Sequence, residues 1–127
     1  MSQTPTQTHQ TATATVQGWL SDFDKALQAQ DIQRVLSLFN EECYWRDFVT
    51  FTWNLKTCEG KDAIQALLNA TLENTRPSNW QLEGEATQNG DISEAWFTFE
   101  TAVASGKGYL RLKDGKCWTL LTTMQSL

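Results

Sequence analysis

The residue of this sequence best placed to do chemistry is Asp47, inside the run CYWRDFVTFTW from Cys43 to Trp53. That run is rich in aromatic and β-branched residues and reads as an extended strand. A period of two then sets Cys43, Trp45, Asp47 and Val49 on one face, with Tyr44, Arg46 and Phe48 on the other. A carboxylate among such apolar neighbours is suited to act as general base on a carbon acid or on water. The competing role is structural: Asp47 pairs with an arginine or a backbone amide and fixes its strand. The substitution Asp47→Asn separates the two. For a base it abolishes turnover and leaves stability unchanged or raised; for a held carboxylate it destabilises the fold, the outcome favoured here.

Other chemistries lack their essential members. The single histidine, His9, lies in a polar N-terminal stretch, so Ser/His and Cys/His nucleophile systems and a histidine metal site are all missing their key residue. Cys43, Cys58 and Cys117 are an odd set without CxxC spacing, which argues against a disulfide framework and against a thiolate zinc site, and leaves them as buried free thiols. Gly106-x-Gly108 has no third glycine and falls in a hairpin rather than a strand-to-helix turn, so it is not a dinucleotide fingerprint. Ten basic against fifteen acidic residues give a net charge of -5, which does not attract nucleic acid or an anionic membrane. No stretch approaches the ~20 apolar residues of a membrane span, and the N-terminus is not of signal-peptide type. A cytoplasmic protein is expected.

The elements that must position these residues fit one domain of 127 residues, 40% of them hydrophobic. Residues 1–15, almost without large apolar side chains, read as a flexible tail, followed by a domain over residues 16–127. Val16, Trp19, Leu20, Phe23, Ala26 and Leu27 follow helical spacing, and this first helix ends near Gln30. Asp31 caps a second helix carrying Ile32, Val35, Leu36 and Phe39, closed by Asn40, Glu41 and Glu42. After the Cys43–Trp53 strand there is room for a second, short one. Glu59-Gly60-Lys61-Asp62 then opens a third helix, which Pro77 ends. Four strands follow over residues 80–87, 92–103, 107–113 and 116–123, with Asn89-Gly90, Ser105-Gly106 and Asp114-Gly115 as turns. The fold class is α+β: a cone in which a helix hairpin and a third helix pack on a curved antiparallel sheet.

Such a cone encloses a small pocket, and the face of Asp47 lines it. The expected lining residues are Phe23, Cys43, Trp45, Val49, Trp53, Leu110 and Leu112. Of the six tryptophans, Trp45 and Trp53 are assigned to this pocket, where they can stack a small apolar ligand; Trp19, Trp80, Trp96 and Trp118 serve packing or an interface. Lys107, Tyr109, Arg111 and Lys113 form a basic row on one strand face, either solvated or docking an acidic partner domain. Tyr44, Phe48, Trp96 and Trp118 give the outer sheet face apolar area that a monomer rarely leaves bare, so a homodimer through that face is expected.

The order of elements, with the Gly60-Lys61-Asp62 start of the third helix, resembles the nuclear-transport-factor-2-like (SnoaL-like) superfamily of ketosteroid isomerases, polyketide cyclases and limonene epoxide hydrolases. Within it, Tyr44-Trp45-Arg46-Asp47, Thr52-Trp53-Asn54-Leu55, Phe97-Thr98-Phe99-Glu100-Thr101, Gly106-Lys107-Gly108 and Trp118-Thr119-Leu120-Leu121-Thr122 resemble the N-terminal domain of bacterial and fungal FAD-dependent monooxygenases. The resemblance covers residues 16–127. It implies that FAD and NADPH sites belong to a Rossmann-type region of a larger parent enzyme, so no cofactor is expected in this chain. The chain is then either an excised N-terminal domain or a free-standing relative of one.

The same resemblance implies that Asp47 stands at the position of the catalytic base of ketosteroid isomerases. The isomerase oxyanion hole has no counterpart: Phe23 falls where the helix tyrosine belongs, and Gly106-Lys107-Gly108-Tyr109 supplies no acid. A lone base forgoes about 2.7–4 kcal/mol per missing donor. Epoxide hydrolysis is equally disfavoured, because the adjacent Arg46 and Asp47 point to opposite strand faces. Three readings follow. The first is a non-catalytic accessory or dimerisation module of a flavin-dependent monooxygenase, with a pocket for a small molecule. The second is a free-standing SnoaL-like isomerase, cyclase or hydrolase using Asp47; the third is a plain dimerisation domain with a filled cone.

Overall fold

The computed structural model describes residues 5–48 and 55–126 of the chain, so Val49 and Trp53 lie outside the described residues. Helix α1 (Pro5–Gln28) comes first, then α2 (Ile32–Ser37), β1 (Phe39–Phe48), β2 (Leu55–Glu59), α3 (Gly60–Thr75), β3 (Ser78–Asn89), β4 (Ile92–Glu100), β5 (Ser105–Lys113) and β6 (Lys116–Ser126). The strands form one sheet in the order β2-β1-β6-β5-β4-β3. The four-strand antiparallel meander is present as read from the sequence. One pair is not antiparallel: β1 runs parallel to β6, with β2, α3 and strands β3 to β5 between them along the chain. The sheet is curved, and α1 lies against β3 and β4 while α3 lies against β1 and β2.

Three boundaries differ from the sequence reading, each for a physical reason. The segment expected as a tail through Thr15 is helical from Pro5. Ala12 is fully buried and the Thr13 hydroxyl accepts a hydrogen bond from the Ala86 amide at 3.2 Å, so small residues anchor this turn to β3. The second helix stops at Ser37 rather than running past Phe39. The Leu38 carbonyl is taken by the Cys117 amide at 2.8 Å and the Trp19 indole at 2.9 Å, and Phe39 already pairs with Cys117 in the sheet. Asp31 does cap this helix, accepting from the Arg34 amide at 3.2 Å.

Ser105-Gly106 is the third correction: it sits inside β5, and the turn is made by residues 101–104, where the Thr101 hydroxyl accepts from the Ala104 amide at 3.0 Å. Asp114 and Gly115 both have positive φ, 54° and 82°, as a tight two-residue hairpin requires. Gly106 and Gly108 have a packing role. A Cβ at Gly106 would strike the Phe99 ring, and one at Gly108 the Phe97 ring and the Leu121 carbonyl oxygen. The two glycines let those rings lie on the β5 backbone, which is not a phosphate cradle.

Candidate functional site

The inward face of β1 alternates as its sequence implies: Cys43, Trp45 and Asp47 are buried, while Tyr44, Arg46 and Phe48 face outward. Asp47 is 1% exposed and is the only acidic or basic residue among the described buried ones. Its Oδ1 accepts a hydrogen bond from the Thr122 hydroxyl at 2.6 Å, and that hydroxyl in turn accepts from the Trp45 indole Nε1 at 2.9 Å. Asp47 and Thr122 are direct partners in the parallel β1–β6 register. One hydroxyl therefore joins a carboxylate and an indole across two strands, using both its donor and its acceptor capacity.

Aromatic rings pack on the Trp45 end of this relay. Phe23 of α1 meets Trp45 edge-on at 6.0 Å, Phe39 at 6.1 Å and Trp80 at 4.9 Å. Trp80 stacks on Phe99 at 4.3 Å. Edge-to-face and stacked arrangements at these separations are the favoured ones for rings. Leu110 and Leu112 complete the buried set from β5. Of the expected lining residues, Phe23, Cys43, Trp45, Leu110 and Leu112 are brought together in this core. The Trp80 indole N–H is buried there without a hydrogen-bond partner, a donor that an acceptor oxygen would satisfy.

Two cavities lined by described residues lie away from Asp47. One, of about 380 Å³, runs between α1 and β3 along Gln17, Ser21, Asp24, Trp80 and Gln81. The other, of about 540 Å³, lies on the outer sheet face between Tyr44, Arg46, Phe48, Tyr109, Arg111 and Leu121.

The cysteines are free and buried. Burial pushes the Cys117 thiol well above its ordinary value, with Cys43 adding to it. Burial also raises Cys43 and Cys58, against the opposing charges of Lys61 and Lys56 respectively. All three are therefore protonated and poorly nucleophilic near neutrality. Among the described residues no group of histidine, cysteine, aspartate or glutamate side chains could hold a metal ion. No helix among them is long and apolar enough to cross a membrane.

Thr122 is the site residue that the sequence left unassigned. Strand alternation places it on the face of Leu120, but only the parallel pairing with β1 brings it to Asp47.

The family model of the SnoaL-like domain matches residues 20–120. The chain belongs to the SnoaL-like domain family. Its fold is that of a ketosteroid isomerase-like protein from Erwinia carotovora atroseptica, with a TM-score of 0.73 over 91% of this chain and 97% of that one, at 11% identity. A cystatin-like domain from Nostoc punctiforme superposes with a TM-score of 0.70 at 12% identity, covering 90% of this chain and 77% of its own. A computationally designed 17-OHP binder superposes with a TM-score of 0.60 at 15% identity, covering 82% and 86%. No curated protein matches the chain by sequence. At these identities the likeness is one of fold, a SnoaL-like α+β cone.

Proposed function

We propose that this SnoaL-like domain is a non-catalytic accessory or dimerisation module, resembling the N-terminal domain of a flavin-dependent monooxygenase. FAD and NADPH belong, on this reading, to a larger parent enzyme. The observation that carries it is the Trp45–Thr122–Asp47 relay: the carboxylate is engaged in joining β1 to β6, and the Trp45 ring at the other end of the relay packs edge-on against Phe23. The aromatic interior is suited at most to a small apolar ligand, with the Trp80 N–H as an unpaired donor among the described residues. Free, protonated thiols support a cytoplasmic setting. The exposed aromatic residue Trp96, with Tyr44, Phe48 and Trp118 on the same outer face, supports self-association there.

One observation favours a second reading, an isomerase or cyclase with Asp47 as general base. A buried carboxylate with one oxygen fixed by Thr122 has the orientation that proton abstraction needs, and the Erwinia neighbour is described as ketosteroid isomerase-like. Thermal melts of wild type and Asp47→Asn at neutral pH decide between them. The accessory module requires a less stable variant, since the Thr122 hydroxyl loses its charged acceptor; a variant of equal or greater stability overturns it.

A further inference from the structure

The cleft of about 380 Å³ between α1 and β3 gathers side chains that neither the core nor the sheet pairing uses. Gln17, Leu20, Ser21 and Asp24 recur at helical spacing as one stripe of α1, and Trp80, Gln81 and Leu82 of β3 form the other wall. The volume falls in the range of about 300–1,000 Å³ usual for small-molecule sites. None of these residues belongs to the Trp45–Thr122–Asp47 relay. Phe23 stands between the two places, 4.9 Å from the Trp80 ring and 6.0 Å from that of Trp45.

Trp80 comes to the cleft through a distortion of β3. Ser78 pairs with Glu100 and Gln81 with Thr98, so Asn79 and Trp80 together oppose Phe99 alone, which makes a β-bulge. Asn79 takes a positive φ of 55° there, and its side chain is tied at both ends: Nδ2 donates to Glu100 at 3.2 Å, and Oδ1 accepts from Gln81 Nε2 at 2.6 Å. The Trp80 ring is stacked on Phe99 at 4.3 Å, with Phe97 at 5.4 Å and Phe23 edge-on. Held by three rings, the indole cannot turn to seek a partner, and its N–H is buried and unpaired. A donor left in that state costs stability until an acceptor oxygen reaches it.

The other polar groups of the cleft select what brings that oxygen. Among the described residues lining it, Asp24 alone carries a charge. Gln28 Nε2 donates to Asp24 Oδ1 at 2.6 Å, which holds the carboxylate and leaves Oδ2 to a ligand. The Gln81 amide nitrogen is spent on Asn79, so its carbonyl oxygen is a second acceptor. A cationic head is therefore drawn to the α1 side, and a carboxylate is repelled. A divalent metal lacks ligands, since no group of described side chains could hold one. A sugar, which stacks on an indole face, meets a Trp80 already stacked on Phe99 and only 5% exposed. Leu20 and Leu82 offer apolar walls for a short hydrocarbon stem.

We propose that the α1–β3 cleft binds a small protonated amine that also bears an acceptor oxygen, with the ammonium on Asp24 and the oxygen on the Trp80 indole N–H. The site holds whether Asp47 ties the strands or acts as a base. The test is a titration of the full chain with aminopentanol, read from the indole N–H signals of its six tryptophans in proton–nitrogen correlation spectra. Trp80→Phe identifies the Trp80 signal by its disappearance, and sequential assignment does so if that variant is unstable. The signal should move downfield and saturate, as an N–H newly bonded to oxygen does. Pentylamine, which lacks the oxygen, should bind without this downfield movement. Pentanediol, which lacks the charge, should bind about tenfold more weakly or worse. Asp24→Asn should weaken aminopentanol by a similar factor, and Ser21→Lys, at an exposed position, should block it by placing a competing ammonium in the cleft. A Trp80 signal that stays in place, or that drifts without saturating, overturns the site. Pentanediol binding as tightly as aminopentanol, or Asp24→Asn and Ser21→Lys both without effect, overturns the assignment of an amine.

Discussion

The two faces of one sheet use aromatic residues in opposite ways. On the inner face rings lie against rings, with Trp45, Phe97 and Phe99 each 1% exposed or less, and the single carboxylate among them is held by a hydroxyl. On the outer face cations cover the rings, with Trp96 also meeting Tyr109 edge-on at 4.8 Å, and Trp96 is 48% exposed. A ring excluded from water stabilises the fold through its area and its close packing. A ring half in water and covered by a flexible cation contributes little to the fold and remains free to meet another surface. Adjacent residues of one strand thus do different work: Trp45 belongs to the core and Arg46 to the outer face, because successive side chains point to opposite faces.

The sharpest way to break this comparison is to remove one ring from each face. Trp45→Ala should cost about 3–5 kcal/mol in chemical denaturation, while Trp96→Ala should cost less than about 1 kcal/mol. Equal losses would show that the outer rings hold the fold as well. Gly108→Ala should follow, destabilising by about 1–3 kcal/mol or preventing folding, since its methyl group meets the Phe97 ring and a backbone oxygen that cannot move aside. A stable Gly108→Ala variant would mean that β5 and β6 are free to shift.

Thr122→Val keeps the shape of the side chain and removes the hydroxyl, leaving the Trp45 indole and one Asp47 oxygen without it. A loss of about 1–3 kcal/mol is expected. An unchanged midpoint would place the anchoring of Asp47 elsewhere.

The smallest effect lies on the outer face, at Tyr109. Burial raises its phenol from 10.0 to about 12, reinforced by the hydrogen bond to Glu94 and by that carboxylate's charge, and opposed by Arg111. A raised folded value favours the protonated phenol in the native state, so its contribution is intact below pH 10 and is lost as the pH climbs towards about 12. Ultraviolet titration of tyrosinate should show one late component, and Glu94→Gln should bring it to lower pH. If Glu94→Gln leaves the titration unchanged, Glu94 does not govern this ring.

Much of the fold was legible because it rests on local periodicity. The switch from helical spacing to alternation marks the helices and the meander, and Asp31 and Asp114-Gly115 carry their own capping and turn chemistry. The errors fell where local signals are silent. Ala12 and Thr13 are too small to register as an apolar stripe, yet small size is what lets α1 sit close to β3. Phe39 suits the end of a helix as well as the start of a strand, and its pairing with Cys117 decides the matter.

The sequence by itself determined the α+β class and the two faces of β1, since each depends on residue type and near-neighbour spacing. The tertiary structure alone decided that β1 joins β6 in parallel. That pairing brings together residues 75 positions apart to make the Asp47–Thr122 bond, and on the reverse face it sets Arg46 beside Leu121. Pairing of distant strands is set by how the helices and connections close the chain around one core, and no local pattern records it.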